Sequence, residues 1–323
     1  MKSILCIVTV IALIIAGCES VGHDDNIDEP FDAGPILFVL ERQLWSMNEE
    51  GSNVKQLTND PDFPIYDAKW SPDGEKIAIR GSANPKDPHE FAGAIYVMNA
   101  DGTDKTQVTF PPTGLFRYIG DGSSFVWSPD GTKIAFSRMI PPESAGTYFI
   151  FIVDLETGEE RMVSETHMFV YGWYTEGNKL LVLLKKSDSD SGLAIIDKEG
   201  NIIKHLISSD SRVNAIDFSH DGKKIALTYA GELYIMDSDG NNFTKIKDAE
   251  YIDWVQVISP DGNKIIYIDE RKQEQAFTPI PQYLKILTLS TNNEKDISPF
   301  HYTELFVESG KDRRYTITSW RGR

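Results

Sequence analysis

The stretch Trp70-Ser71-Pro72-Asp73-Gly74-Glu75-Lys76-Ile77-Ala78-Ile79 decides the fold, because the chain repeats it. A second full copy is Trp127-Ser128-Pro129-Asp130-Gly131-Thr132-Lys133-Ile134-Ala135-Phe136, and weaker copies begin at Trp173, Phe218, Ile258 and Phe306. In each full copy Pro presets the second turn position and Gly accepts a positive φ, so one strand ends and the next begins. The starts lie 40 to 57 residues apart. This period predicts a β-propeller in which each copy belongs to one blade.

The residues around the first copy supply the four strands of one blade. We expect them at 65–70, 76–80, 94–98 and 106–109, from the innermost strand to the outer edge. A second turn, Asn99-Ala100-Asp101-Gly102, follows the third strand, and similar turns recur in the other units. Asx and Gly residues are sufficient for such a hairpin turn, and the acidic positions lack the spread that a calcium-binding loop requires.

The two ends of the chain complete the ring. Strands near 36–40, 43–47 and 55–58 have no innermost strand before them, and the copy at Phe306 has no outer pair after it. The sequence therefore predicts an all-β, six-bladed β-propeller with four-stranded antiparallel blades, one of them shared between the N- and C-termini. Both Ile36–Leu40 and Arg314–Thr318 are candidates for the second strand of the shared blade.

The repeated aromatic position is predicted to be part of the core. It lies where the innermost strand enters the turn, next to the neighbouring blade, and a large ring there joins one sheet to the next. We therefore interpret Trp70, Trp127 and Trp173 as packing residues.

The first residues have the pattern of an export signal. Lys2 precedes an apolar run over 4–15 that is short for a membrane span. Ile15-Ala16-Gly17-Cys18 resembles the lipobox of bacterial lipoproteins, which implies cleavage before Cys18 and lipidation of that cysteine. The alternative is an ordinary signal peptide or an uncleaved anchor. Cys6, the other of the 2 cysteines, would leave with the signal, so no thiol would remain for a disulfide or a metal site.

We therefore divide the chain into a lipoprotein signal peptide at 1–17, a lipidated cysteine with an acidic flexible tether at 18–34, and a β-propeller domain at 35–323. The tether has too few apolar residues to fold alone. The protein is expected outside the cytoplasm, lipid-anchored at the periplasmic face of a bacterial membrane or at the cell surface. Its net charge of −17 argues against nucleic acid as a partner, because phosphates would be repelled.

The Trp-Ser-Pro-Asp-Gly-x-Lys-Ile-Ala-Phe pattern, followed by Ile-Tyr-Val-Met-Asn-x-Asp-Gly, resembles the WD-repeat-like propeller repeat of TolB. Similar repeats occur in the propellers of prolyl-oligopeptidase-type serine peptidases and in oligogalacturonide lyases. The resemblance spans 36–323 and implies the fold more than a function, because the matched residues are turn and core residues. TolB carries an additional α/β domain where this chain has the acidic tether. The peptidases need a Gly-x-Ser-x-Gly elbow, which this sequence lacks, so we do not expect peptidase activity.

A ligand is expected at the mouth of the propeller that is opposite the repeated turns. The irregular loops there, at 81–93, 110–124, 137–147 and 269–282, differ between blades, and such loops usually carry binding residues. The candidate residues for a small anionic or sugar-like ligand are Arg80, Arg117, Arg138, Arg271, Tyr66, Lys69, Asp217 and Glu304. The alternative is that the arginines only neutralise an acidic shell.

Three histidines are further candidates for a metal site. His89, His167 and His301 fall in irregular loops of separate blades, and oligogalacturonide lyases use a metal site at the propeller channel. No spacing brings these histidines together, so we predict neither a metal nor another cofactor.

We interpret the chain as a monomeric, lipid-anchored, extracytoplasmic propeller that serves as a protein- or peptide-binding scaffold of the cell envelope and is not an enzyme. The alternatives are a carbohydrate-active or metal-dependent lyase with its site at the channel mouth, and a small-ligand sensor subunit.

Overall fold

The structure is a computed structural model that describes residues 33–82, 93–110, 124–139, 147–164, 167–185, 191–207, 213–247, 252–270, 282–296 and 316–321. Every helix or strand assigned within these ranges is a β-strand, and the strands form six four-stranded sheets. Within the same ranges no helix is long and apolar enough to cross a membrane. The six sheets are the blades of a β-propeller, as the repeat predicts.

Five blades are built from consecutive strands, in the order inner to outer. Blade 1 contains β4 (Ile65–Trp70), β5 (Lys76–Gly81), β6 (Ala94–Asn99) and β7 (Thr106–Gln107). Blade 2 contains β8 (Phe125–Trp127), β9 (Lys133–Met139), β10 (Tyr148–Asp154) and β11 (Glu160–Met162). Blade 3 contains β12 (Met168–Trp173), β13 (Lys179–Lys185), β14 (Ser191–Asp197) and β15 (Ile202–Ile207). Blade 4 contains β16 (Val213–Phe218), β17 (Lys224–Tyr229), β18 (Glu232–Asp237) and β19 (Thr244–Lys247). Blade 5 contains β20 (Ile252–Ile258), β21 (Lys264–Glu270), β22 (Gln282–Thr288) and β23 (Asn293–Asp296).

The closing blade joins the two ends of the chain. Its order from the channel outwards is β24 (Thr316–Trp320), β1 (Ile36–Leu40), β2 (Gln43–Met47) and β3 (Lys55–Gln56). The C-terminus therefore supplies one strand and the N-terminal region three. Of the two candidates for the second strand, Ile36–Leu40 takes that place, with a paired strand on each side. All five of its side chains are buried, because one face of the strand packs against blade 1 and the other against blade 5.

Trp320, rather than Phe306, takes the aromatic position of the sixth copy. It ends the innermost strand, pairs with Ile36, and is 6% exposed in a cluster with Val257 and Ile266 of blade 5. Placing the sixth copy at Phe306 was therefore wrong. The reason is that the sequence after Trp320, Arg321-Gly322-Arg323, does not resemble the Ser-Pro-Asp-Gly turn of the full copies. Phe306 itself lies outside the described residues.

A hydrogen-bond network explains the Ser and Asp of the repeated turn. In blade 2 the Ser128 hydroxyl donates to Asp130 Oδ1 at 2.6 Å and accepts from the Lys133 backbone N–H at 2.9 Å. The serines of blades 1, 4 and 5 make the same two bonds, at Ser71, Ser219 and Ser259. Each serine thus joins the turn to the first residue of the second strand, so the motif is local turn chemistry.

The lysine of the motif connects the two turns of a blade. Lys76 Nζ donates to Asn99 Oδ1 at 2.6 Å, and Lys224 Nζ lies 2.6 Å from Asp237 Oδ1. Lys133 makes the equivalent contact with Asp154 in blade 2. Hydrogen bonds from Lys133 and Thr157 lower the pKa of Asp154 to about 2. Because solvent reaches these pairs, their contribution to stability is small, and they mainly orient the turns.

The aromatic residues pack between blades as predicted for Trp70 and Trp127, which are 6% and 9% exposed. The Trp127 indole N–H donates to the Lys69 carbonyl of blade 1 at 3.1 Å, and the Trp70 indole N–H donates to the Pro35 carbonyl at 3.0 Å. Trp173 packs against a cluster of blades 2 and 3 but is only partly buried.

We expect Trp320→Ala to destabilise the protein by about 3–5 kcal/mol, because the substitution leaves a cavity between the closing blade and blade 5. The measurement is the free energy of unfolding from urea titration. Phe110→Ala is the control, since Phe110 is 67% exposed and its truncation removes little buried area. Equal effects of the two substitutions would contradict the assignment of Trp320 to the core.

Candidate binding site at the centre of the propeller

All six blades contribute to a central cavity of about 220 Å³ at the end formed by the repeated turns. Its wall contains the residue at the aromatic position of every blade: Trp70, Trp127, Trp173, Phe218, Ile258 and Trp320. Its polar lining includes Lys69, Asp217, His220 and Arg321. The repeat brings these side chains together, because the inner strands converge on the channel and each ends at the same level.

An ion pair crosses the channel below the circle formed by these six residues. Lys69 Nζ of blade 1 lies 3.7 Å from Asp217 Oδ1 of blade 4. Blades 1 and 4 are opposite each other, with two blades between them on either side of the ring. The Ile258 backbone N–H also donates to Asp217 Oδ2 at 2.7 Å. One side-chain pair therefore spans the channel and is fixed by a third blade.

A second carboxylate lies near this pair. Asp67 is two residues before Lys69 on β4, so the two side chains point to the same side of the strand. Burial raises the pKa of Asp217 and of Asp67, and Lys69 partly offsets both shifts. Arg80, paired with Asp67 on the adjacent strand, also lowers the pKa of Asp67. The inner strands thus place one buried carboxylate, one half-buried carboxylate and one ammonium group near each other.

The structure brings some of the predicted site residues together. Lys69 and Asp217 meet in the channel, and the Arg80 guanidinium lies 5.7 Å from the centre of the Tyr66 ring. Arg42 stacks on Tyr66 as well, at 5.5 Å. Arg42 was missed because it lies in a two-residue hairpin turn in which Glu41 and Arg42 both have positive φ, without the glycine that usually marks such a turn.

Arg138 is held within blade 2. Its guanidinium makes a bidentate pair with Glu160 at 2.6 and 3.1 Å and lies against the rings of Phe136 and Phe151. The arginine is 8% exposed and does not line the central cavity. The pair joins the second strand of the blade to its outermost strand, so the structure does not bring Arg138 to Arg80.

His167 lies in an aromatic stack. Its ring is 5.8 Å from Tyr148 and 5.3 Å from Phe169, and burial, then the charge of Lys185, lowers the pKa of His167. Among the described residues, no group of three or more His, Cys, Asp or Glu side chains could hold a metal ion. The candidates Arg117, Arg271, Glu304, His89, His301 and Cys18 lie outside the described residues.

The central cavity is at the mouth that the sequence did not favour. The sequence could have indicated this cavity, because the residues before each repeated turn must converge at the channel. The repeated positions were instead interpreted as core and turn residues only. Most of the irregular loops at the other mouth lie outside the described residues, so a ligand site there stays a prediction.

The fold and the central cavity define a six-bladed propeller of the kind built from Trp-Ser-Pro-Asp-Gly repeats. The family model for the TolB β-propeller domain matches residues 123–319, and the chain belongs to that family.

Relatives and solved structures agree with the fold. An uncharacterised protein of Agrobacterium fabrum is 22% identical over 204 residues, which cover 62% of this chain and 64% of that protein, so the match spans less than two thirds of the relative. A TolB-type protein of Agrobacterium tumefaciens superposes with a TM-score of 0.58 at 17% identity, covering 81% of this chain and 87% of the other. TolB of Acinetobacter baumannii superposes with a TM-score of 0.58 at 20% identity, covering 90% of this chain and 65% of the other. A chain of a nidogen–laminin complex superposes with a TM-score of 0.60 at 9% identity, covering 88% of this chain and 96% of the other. At these identities the likeness shows the fold alone.

We expect Lys69→Met to lower the free energy of unfolding by about 3 kcal/mol at neutral pH, because it leaves Asp217 buried without its counter-charge. The pKa of Asp217, already raised, would rise further. A carboxyl group with a raised pKa destabilises the fold when ionised, so the deficit should shrink as the pH falls through that pKa.

Urea titrations between about pH 4.5 and pH 7.5 measure this deficit. Lys223→Met is the control, because Lys223 pairs with Asp221 at 3.3 Å while being 77% exposed. A deficit in Lys69→Met that does not change with pH would show that the ion pair is not its cause.

Proposed function

We propose that the protein is a lipid-anchored, extracytoplasmic propeller that binds a protein or peptide of the cell envelope at its central cavity. The observation that carries the proposal is the ring of aromatic side chains with one ion pair at its base. Aromatic residues and arginine are enriched at protein-binding surfaces, and Trp and Arg are among the residues that most often dominate the binding energy there.

The size of the cavity supports a peptide as the ligand. About 220 Å³ is below the roughly 300–1,000 Å³ typical of small-molecule pockets. It suits one or two side chains, or the end of a chain, that project from a larger partner. Lys69 and Asp217 would then offer one donor and one acceptor at the base, while Pro72, Pro129 and His220 contact the partner at the rim.

The comparisons favour a binding role. Two solved structures of this fold carry the name TolB, and another belongs to a nidogen–laminin complex, so a propeller of this architecture occurs in a protein–protein assembly. The anchoring part of the proposal rests on Ile15-Ala16-Gly17-Cys18. The lipid would hold the propeller, as a monomer, at the membrane beside its partner. The flexible acidic tether would let the propeller reorient relative to the membrane.

A photo-crosslinking residue placed at His220 should form a covalent product with an envelope protein in living cells, because His220 is exposed and lines the cavity. The same residue at Ile203, which is 51% exposed on the outer strand of blade 3, is the control. Products that form at Ile203 but not at His220 would place the partner elsewhere and contradict the proposed site.

We expect Cys18→Ala to move the protein from the membrane fraction to the soluble fraction or to leave the signal peptide uncleaved. Lipidation supplies the anchor, at about 0.8 kcal/mol for each buried methylene group. Mass spectrometry of the purified wild type should show acyl chains on Cys18. An unmodified Cys18 would disprove the lipid anchor and leave the binding site untouched.

A further inference from the structure

The seam between blades 2 and 3 is open at the end formed by the repeated turns. At other seams the turn glycine of one blade touches the blade before it. A Cβ on Gly222 would lie 2.8 Å from Thr175, one on Gly262 would lie 2.7 Å from Lys224, and one on Gly131 would lie 3.8 Å from Pro72. A Cβ on Gly177 of blade 3 would meet no described atom of another blade within 4 Å.

The sequence of blade 3 explains this gap. Its turn is Tyr174-Thr175-Glu176-Gly177, which has neither the serine nor the proline of the full copies. The Tyr174 hydroxyl donates to the Ser238 carbonyl of blade 4 at 2.6 Å, so the turn is attached to blade 4. At the outer end of the seam, Arg161 Nη1 donates to the Lys198 carbonyl at 2.9 Å. The result is a cleft that is closed at the outside and open to solvent above.

This interblade cleft, between Trp173 and the Arg161–Lys198 contact, has a volume of about 510 Å³. That is more than twice the central cavity and within the roughly 300–1,000 Å³ of known small-ligand sites. One wall comes from the turns of blade 2, and the other comes from Trp173, Thr175 and Glu176 of blade 3.

Trp173 differs from its two counterparts in a way that concerns this cleft. The indole N–H groups of Trp70 and Trp127 donate to carbonyls of the preceding blade. The Trp173 indole N–H is buried and has no acceptor among the described residues. A buried donor without a partner costs about 1–3 kcal/mol, so a small turn of this partly buried ring towards an acceptor in the cleft would be favourable.

The charged lining of the cleft is balanced. Three basic side chains, Lys133, Arg161 and Lys198, face four acidic ones. Two of the acids are already engaged, since Asp130 accepts from Ser128 and Asp154 from Lys133.

The other two acids are available to a ligand. The carboxylates of Glu159 and Glu176 make no hydrogen bond or ion pair within the described part of the chain. The cleft therefore offers free acceptors in these carboxylates and donors in Arg161, Lys198 and the indole, with little net charge to select an ion.

From these observations we infer that the interblade cleft is a binding site for a neutral oligosaccharide. Vicinal hydroxyl groups donate to carboxylates and accept from guanidinium, ammonium and indole N–H groups, while the apolar face of a sugar ring packs on an aromatic side chain. The three basic side chains would repel a strongly basic peptide, and the four acidic side chains would repel a polyanion. The cleft borders the central cavity, since Pro129, Trp173 and Thr175 line both, but its charged lining belongs to the seam between blades 2 and 3. The inference does not depend on the function proposed for the central cavity.

Isothermal titration of the full-length protein in detergent with neutral trisaccharides of glucose and of N-acetylglucosamine tests the inference. At least one should bind with one-site stoichiometry. In protein labelled with ¹⁵N at tryptophan, the indole signal of Trp173, assigned with Trp173→Phe, should shift on binding, while those of Trp70 and Trp127 stay in place.

Glu176→Gln should weaken binding about tenfold or more, because a hydrogen bond to a charged group is lost. Glu75→Gln, on the corresponding turn of blade 1, is the matched control and should bind like the wild type, and circular dichroism confirms that both variants fold. No binding of any trisaccharide at millimolar concentration would overturn the inference. Binding that leaves the Trp173 signal unmoved, or that Glu176→Gln does not weaken, would overturn it equally.

Discussion

The pairing of Thr316–Trp320 with Ile36–Leu40 is the constraint on which the whole ring depends. Without this pairing, β1 would be an unpaired edge strand, the closing blade would lack its innermost strand, and the ring would be open between blade 5 and blade 1. Here the last strand forms hydrogen bonds with the first, and Ser319 accepts from the Trp70 backbone N–H at 3.1 Å. The closing blade is therefore attached to blade 1, and the channel keeps a fixed width.

A channel of fixed width makes the crossing ion pair possible. Lys69 and Asp217 come from opposite blades, so any widening of the ring would separate them and leave two charges in a poorly solvated place. The aromatic residues above them fill the space between inner strands. Packing and polarity thus support each other at the centre, and what remains is a small cavity with an apolar wall and a polar base.

The sequence predicted the parts of the fold that local chemistry determines. The strands of blade 1 and the turns with serine, aspartate and glycine follow from residues close together in the chain. The closing strand did not, because Arg314–Thr318 and Ile36–Leu40 are both short strand candidates, and only their pairing in space decides between them. Trp320 was overlooked because the residues after it, Arg321-Gly322-Arg323, do not resemble the Ser-Pro-Asp-Gly motif.

The candidate site was predicted less well, for a related reason. Lys69 and Asp217 were recognised from their places before the aromatic position, and the structure joins them. Arg138 was a candidate because it lies on the second strand of blade 2, as Arg80 lies on the second strand of blade 1, but Glu160 on the outermost strand decides where its guanidinium lies. Asp67 could have been found from its spacing to Lys69.

The place where the chain enters the fold has a mechanical consequence. Residues 33–35 lead directly into β1, which forms hydrogen bonds with β2 on one side and β24 on the other. A force applied at the N-terminus therefore acts on two rows of backbone hydrogen bonds at once, whereas an edge strand is held by a single row. With the lipid anchor proposed at Cys18, thermal motion of the membrane and tension from a bound partner would act on a strand that is paired on both sides. The same arrangement requires β24, far along the chain, to be present before β1 is paired on both sides, so the ring cannot resist such a load until β24 has paired.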